Sequence, residues 1–222
     1  MKVSTLVVTF AFLVLLGSII FAASKPHEAT ALSSAPPAGR TGAPGDAGTC
    51  ATCHSGTGGA GALIMALYDF NPTYVPGQTD TLVIGIGAPG ATRWGFEVTA
   101  LKNSDNTMAG TFGTIPDLAI QTGTEASGGR IYMGHRSNGA IAPFDLNDGT
   151  EWGFATGGWL VEWTPPAQGT GDVTFYAAGI AADGSQSAGA TDTTYTATYV
   201  VTEQAPSPVT STTWGKIKTR FR

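Results

Sequence analysis

One five-residue stretch has the residue types and spacing of a chemical site: Cys50-Ala51-Thr52-Cys53-His54. The pattern C-x-x-C-H is typical of a c-type haem attachment site. Two thiols three positions apart on a tight turn can each add to one vinyl group of a haem, and the adjacent His54 then points its imidazole at the iron as proximal ligand. The motif therefore predicts one covalent haem c, held by Cys50, Cys53 and His54.

The two thiols have three alternative uses. A thioredoxin-like redox pair requires a βαβ context, and the sequence contains none. A zinc site needs further Cys or His ligands, but the chain has only 2 Cys and 3 His. A structural disulfide between Cys50 and Cys53 is compatible with an oxidising compartment and stays open as the main alternative.

The elements that must position this motif are β-strands. From Leu63 onward, short apolar, β-branched and aromatic runs recur between Gly, Pro, Asn and Asp, which is the pattern of strands and turns. The runs lie at 63–70, 79–88, 93–102, 108–113, 130–135, 158–163, 172–178 and 195–202. About eight strands at this spacing predict an all-β fold, an antiparallel β-sandwich, in which the haem motif occupies a loop before the first strand.

Alternation within the strands predicts which side chains form the core. Successive side chains of a strand point to opposite faces, so residues two apart share a face. The expected core sets are Leu82, Ile84 and Ile86; Trp94, Phe96 and Val98; and Trp159, Val161 and Trp163.

The two ends of the chain differ from the middle in composition. Lys2 precedes a long apolar run that ends in small residues, which is typical of a secretory signal, although an uncleaved membrane anchor is an alternative. The predicted organisation is a signal peptide at 1–23, a flexible linker at 24–48, a β-sandwich domain at 49–202 with the motif at 50–54, and a linker with a basic tail at 203–222. We expect a periplasmic, cell-surface or secreted protein. Its basic tail has two interpretations, membrane or surface attachment and a terminus without function.

Composition excludes some functions. The net charge is −5, and no basic cluster precedes the last eight residues, so the chain lacks the surface that nucleic-acid binding requires. No Ser-His-Asp order, paired carboxylates or nucleotide loop is recognisable, so we expect no enzyme activity.

Several further segments resemble one family. The segments 39–45, 74–78, 93–97, 130–135 and 171–179, in this order around the Cys motif, resemble bacterial Reeler-like proteins, also described as choice-of-anchor domain proteins. The resemblance spans roughly residues 39–202. It implies a Reeler-like, immunoglobulin-like β-sandwich with a haem-type motif at its N-terminal edge, and it implies no enzyme activity.

The resemblance also points to His135, because an Arg-x-Tyr-x-x-His segment recurs in such proteins and reads RIYMGH here. A six-coordinate haem needs a second His or Met, so His135 is predicted as the distal iron ligand beside His54. Met133 lies two residues away on the same strand and is the alternative. Arg130 and Arg136 flank the site, where their guanidinium groups could pair with haem propionates.

Two functions follow from these patterns. The first is an exported monohaem c-type cytochrome-like protein, for electron transfer with an unidentified redox partner or as a haem-bearing surface protein. The alternative is a cell-surface adhesion or matrix-binding β-sandwich in which the Cys pair is structural. The sequence does not determine an oligomeric state.

Overall fold

The computed structural model describes residues 34–119, 121–137, 156–185, 189 and 191–206, all in the second of the chain's two units, residues 31–222. The predicted signal peptide, the first part of the predicted linker and residues 207–222 of the predicted tail lie outside the described residues. No helix in the described ranges is long and apolar enough to cross a membrane.

Most of the described chain is strand, and its two 3-10 helices span one turn each, Cys50–Thr52 and Pro116–Leu118. The strands, in chain order, are β1 Gly56–Thr57, β2 Ala62–Leu67, β3 Thr73–Tyr74, β4 Asp80–Gly87, β5 Arg93–Lys102, β6 Thr111–Thr114, β7 Thr122–Ser127, β8 Arg130–His135, β9 Thr156–Thr164, β10 Val173–Ala182 and β11 Thr193–Glu203.

These strands form two sheets. The larger sheet has the order β1-β11-β10-β5-β8-β7, and β3 also pairs with β11. The smaller sheet has the order β2-β4-β9-β6. Neighbours are antiparallel except that the short strands β1 and β3 run parallel to β11. The prediction of an all-β sandwich is confirmed.

The structure departs most from the sequence prediction at strand β7. The runs at 93–102 and 130–135 match β5 and β8, but no prediction was made for Thr122–Ser127. Its sequence, TGTEAS, has one buried side chain, Thr122, and no apolar alternation. Pairing with β8 holds this edge strand in place, so its strand conformation depends on a neighbour rather than on its own sequence.

The core lies between the facing sides of the two sheets. Two of the predicted sets are fully buried, those of β4 (Leu82, Ile84, Ile86) and β9 (Trp159, Val161, Trp163), and they meet Phe96 and Val98 of β5. Trp94, the remaining predicted member, is only partly buried against this cluster. Alternation therefore identified the inner face of each of these strands.

An aromatic group centred on Phe175 connects the two layers. Its ring centroid lies 4.7 Å from that of Trp163 in an edge-on arrangement, and 6.4 and 6.3 Å from those of Phe112 and Tyr199. The indole N–H of Trp163 donates to the carbonyl of Ala109 at 3.1 Å. Such aromatic pairs add to the free energy gained from burial.

This arrangement predicts a large difference between two neighbouring aromatic residues of β10. Phe175→Ala should lower the free energy of unfolding by about 3–5 kcal/mol, because it leaves a cavity between the sheets. Tyr176 points to the opposite face and is half-buried, so Tyr176→Ala should cost about 1 kcal/mol or less. Urea denaturation of both variants measures the difference, and equal losses would contradict the assignment of the inner face.

Candidate functional site

The predicted Cys motif belongs to a segment that packs on the outer face of the larger sheet. We call residues 34–54 the covering segment. Pro36 lies against Gly134 of β8, where a Cβ atom would come within 2.7 Å of the proline ring. The chain then continues past β5, and the turn with the motif contacts β10 and β11. A residue larger than glycine at position 134 would displace this segment.

Two carboxylates anchor the covering segment. The backbone N–H of Arg40 donates to Glu97 Oε2 at 2.6 Å. Asp46 accepts from the backbone N–H and the hydroxyl of Thr41 at 3.1 and 2.6 Å, and from the hydroxyl of Tyr132 at 2.6 Å. Arg130 also reaches Asp46, at 3.3 Å. Residues 40–46 are thus tied to both β5 and β8.

The covering segment also has backbone hydrogen bonds of its own. Gly42 N–H donates to Gly48 O at 3.0 Å, Ala47 N–H donates to Gly39 O at 3.1 Å, and residues 41 and 49 form an antiparallel bridge. Residues 34–48 were predicted to be part of a flexible linker. In the structure they form a hydrogen-bonded loop in which Thr41 and Ala43 are buried.

The motif itself forms one 3-10 turn. Thr49 caps it by accepting from the N–H of Ala51 at 3.2 Å, and the N–H groups of Cys53 and His54 both donate to Cys50 O, at 3.1 and 3.0 Å. Both cysteines are half-buried free thiols. Burial, followed by the charge of Glu97, raises the pKa of the Cys50 thiol to about 12. This thiol is therefore protonated at neutral pH and is a poor nucleophile.

His54 has a partner that the sequence did not reveal. Its Nδ1 lies 2.8 Å from Oδ2 of Asp192, which is 2% exposed. A carboxylate only accepts, so Nδ1 carries the proton in this contact. The two residues are separated by 138 positions, and no local pattern identifies Asp192.

His135 occupies a buried position at the end of β8. Its Nδ1 accepts from the backbone N–H of Phe96 at 3.1 Å, and the ring lies over Gly95, where a Cβ atom would come within 2.7 Å of Cε1. Burial lowers the pKa of His135 to about 4, and the nearby Arg136 and His54 act in the same direction. The imidazole is therefore neutral at physiological pH.

The other residues of the predicted ligand set have different surroundings. Met133 is fully buried in the core between the sheets, opposite Val98 of β5. The two flanking arginines both have carboxylate partners, since Arg130 pairs with Asp46, and Arg136 lies 2.8 Å from Glu125. Arg136 Nη1, by contrast, is buried without a hydrogen-bond partner among the described residues.

Glu97 is the residue of this site that the sequence analysis missed. It is 1% exposed, and burial, supported by the charge of Asp46, raises its pKa to about 7. Within the described part of the chain, three buried polar atoms around the covering segment lack a hydrogen-bond partner: Glu97 Oε1, Arg40 Nε and Asp192 Oδ1. A carboxylate within the apolar strand sequence RWGFEVTALK was the signal that could have identified it.

The predicted site residues are thus only partly brought together. Cys50 lies near Glu97, and His54 lies near enough to His135 to influence its pKa. The two imidazoles nevertheless have separate partners, Asp192 for His54 and the backbone of Phe96 for His135. The arrangement holds a turn on a sheet by polar contacts, and the protonated Cys50 thiol does not favour nucleophilic chemistry.

Comparison with known proteins finds several solved structures of limited similarity. No family model matches the chain, and no curated protein matches its sequence. Among solved structures, the Reelin-N domain of F-spondin is 19% identical with a TM-score of 0.45, and covers 68% of this chain and 93% of that chain. The human F-spondin reeler domain is 18% identical with a TM-score of 0.42, and covers 67% and 92%. A type II cohesin domain of the Acetivibrio cellulolyticus cellulosome is 10% identical with a TM-score of 0.32, and covers 64% and 95%.

One prediction is contradicted, the classification of the chain as a haem protein, an iron-binding c-type cytochrome and an electron-transfer protein. No group of three or more His, Cys, Asp or Glu side chains among the described residues could hold a metal ion. That classification is wrong. The motif specifies a turn with two thiols and an imidazole, but it does not specify what surrounds them. The individual roles given to Cys50, Cys53, His54 and His135 are tested by none of these findings and stay predictions from the sequence.

The shifted pKa values of the buried Glu97 and His135 predict an unusual dependence of stability on pH. Glu97 has a raised pKa in the folded state, so its contribution to stability is lost as pH rises towards about 7. His135 has a lowered pKa in the folded state, so its contribution is lost as pH falls from 6.5 towards about 4. The two effects should nearly cancel between about pH 4.5 and 6.5, with each contributing about 1 kcal/mol per pH unit.

Single substitutions should separate the two effects in urea unfolding measured across this range. Glu97→Gln should make the protein less stable as pH falls, and His135→Gln should make it more stable as pH falls. Val200→Ala is the control, because this exposed side chain on β11 carries no titratable group, and it should leave the profile unchanged. A Glu97→Gln profile identical to that of the unmodified protein would show that Glu97 is not buried as described.

Proposed function

We propose that this protein is a non-enzymatic binding module that acts outside the cytoplasm, with a rigid β-sandwich as scaffold and a structural role for the Cys pair. The distribution of exposed apolar side chains supports the proposal. Four of the five large apolar residues that the described chain exposes lie between positions 64 and 75: Ile64, Tyr68, Phe70 and Val75. Grouped exposed apolar residues mark interaction surfaces more often than scattered ones do.

The position of the covering segment is compatible with this proposal, because the segment is not on the sheet that exposes Ile64. It lies on the outer face of the larger sheet, whereas Ile64 and Met65 belong to the smaller sheet. The Cys motif would therefore stabilise the scaffold while another surface binds the partner. In an oxidising compartment Cys50 and Cys53 would form a disulfide that fixes the turn, since two thiols three positions apart can be bridged locally.

The ends of the chain complete the proposal. Residues 1–23 would direct export, and the basic residues near the C-terminus would attach the protein to an anionic membrane or cell surface. The module would then be displayed in the periplasm or on the cell surface, with its apolar surface available to a partner.

The intact mass of the protein distinguishes a disulfide between Cys50 and Cys53 from an attached haem. Protein exported by a host that carries c-type maturation machinery should have the mass of the processed polypeptide with the two thiol hydrogens lost, and should be colourless. Cys50→Ser with Cys53→Ser should fold to the same structure with a lower unfolding midpoint, because the local cross-link is missing. A mass increase of one haem would contradict the structural role.

A binding measurement tests the module function. Fluorescently labelled protein should bind saturably to cell-envelope material of the producing organism. Tyr68→Ser with Phe70→Ser should reduce this binding at least about tenfold, a loss of about 1.4 kcal/mol. Val200→Ser is the matched control, because Val200 is exposed on β11, and it should bind normally. Absence of binding, or binding unaffected by the double substitution, would refute the proposal.

A further inference from the structure

A small polar cleft is lined by Asp69 and Asn71, the chain neighbours of the exposed aromatic residue Phe70. Its volume is about 200 Å³, and its lining includes two carboxylates, three amides and a hydroxyl: Asp69, Asp80, Asn71, Gln78, Gln204 and Thr73. None of its lining residues is Lys, Arg or His. The volume is below the roughly 300–1,000 Å³ of sites for drug-sized ligands. The cleft therefore suits one small, hydroxyl-rich unit of a larger molecule that carries no negative charge.

Backbone hydrogen bonds shape the cleft in advance. Strand β3 pairs in parallel with the end of β11, and Gln204 N–H donates to Tyr74 O at 2.9 Å. On the opposite side, the N–H of Asn71 donates to Asp69 Oδ1 at 2.9 Å, and that of Tyr68 donates to Thr81 O at 2.9 Å. Groups held in this way lose little conformational freedom when they bind a ligand.

The backbone of Phe70 has a conformation that residues other than glycine rarely adopt. Its side chain is 77% exposed and its φ is 57°, a left-handed conformation that costs a non-glycine residue of order 1–3 kcal/mol. Tyr68, two residues before it, is 66% exposed. The fold gains little from burying either ring. An exposed aromatic residue in a strained position beside a cleft is therefore better explained by contact with a ligand than by packing.

The charges and hydrogen-bonding groups that line the cleft favour some classes of ligand over others. Carboxylates repel phosphate and sulfate groups, whereas carboxylate and amide oxygens accept hydrogen bonds from hydroxyl groups. Aromatic rings pack against the apolar C–H face of a sugar ring. A divalent cation is a poorer fit, because Asp69 Oδ1 and Asp80 Oδ1 already accept backbone N–H groups, and because no group of three acidic, His or Cys side chains in the described chain could hold a metal.

We propose that this cleft, together with Tyr68 and Phe70, binds one sugar unit of a neutral polysaccharide. Asp69 and Asp80 would accept hydrogen bonds from the hydroxyl groups, and the side-chain amides would accept from and donate to them. Phe70 would pack against the face of the ring. This inference rests on the proposed binding function and names the class of partner for it.

A microarray of defined neutral and sulfated oligosaccharides, followed by calorimetry with the neutral oligosaccharide that binds best, tests the inference. Neutral oligosaccharides should bind, and chelation of divalent cations should leave the affinity unchanged. Asp69→Asn and Asp80→Asn should each weaken binding at least about fivefold, and Val200→Ala should bind as the unmodified protein does, because Val200 does not line the cleft.

The substitution Phe70→Gly separates a ligand-binding role of Phe70 from a structural one. Glycine adopts a positive φ without strain, so this substitution should keep or raise the unfolding midpoint while weakening oligosaccharide binding at least about tenfold. A structural role for Phe70 would instead lower the midpoint.

Four results would overturn the inference: no neutral oligosaccharide binds, sulfated ones bind more tightly, chelation abolishes binding, or the cleft variants bind normally. If the protein still binds cell-envelope material through Tyr68 and Phe70 but binds no oligosaccharide, the inference fails and the proposed binding function stands. A protease-sensitive envelope ligand would identify that partner as a protein.

Discussion

The structure depends on the packing of two sheets whose facing sides are apolar. Strand alternation sends Phe96 and Val98 of β5 into that interior and Glu97 to the outer face of the same strand. The strands beside β5 flank Glu97 and the covering segment lies over it, so this carboxylate is removed from water and needs polar partners. The covering segment provides one, the backbone N–H of Arg40. The position of the Cys motif thus follows from the way the strands divide their residues between two faces.

The covering segment connects distant parts of the chain. It ties Asp46 to Tyr132 and Arg130 on β8, and it places His54 against Asp192 beside β11. Buried ion and hydrogen-bond pairs of this kind add little net stability compared with apolar contacts, but the loss of one partner is costly. Their contribution here is positional, because they fix where the turn with two thiols lies.

The sequence predicted features that depend on local pattern. The strands β5 and β8 and the buried sets of β4 and β9 follow from alternation within single segments. The edge strand β7 could not be predicted, because its conformation depends on pairing with β8. The pairing of His54 with Asp192 was equally inaccessible, since it joins residues 138 positions apart. The motif was read correctly as a turn with two thiols and an imidazole, but the electron-transfer function drawn from it was wrong, because five residues do not specify their surroundings.

We expect the covering segment to fold onto the sheet through its own polar contacts. Amide hydrogen exchange, measured on protein whose mass is that of the bare polypeptide, tests it most directly. The amides of Arg40, Gly42 and Ala47, which donate to Glu97, Gly48 and Gly39, should exchange at least about a hundredfold more slowly than in an unstructured peptide. Exchange at the rate of an unstructured peptide, while the amides of β5 and β10 stay protected, would contradict the account.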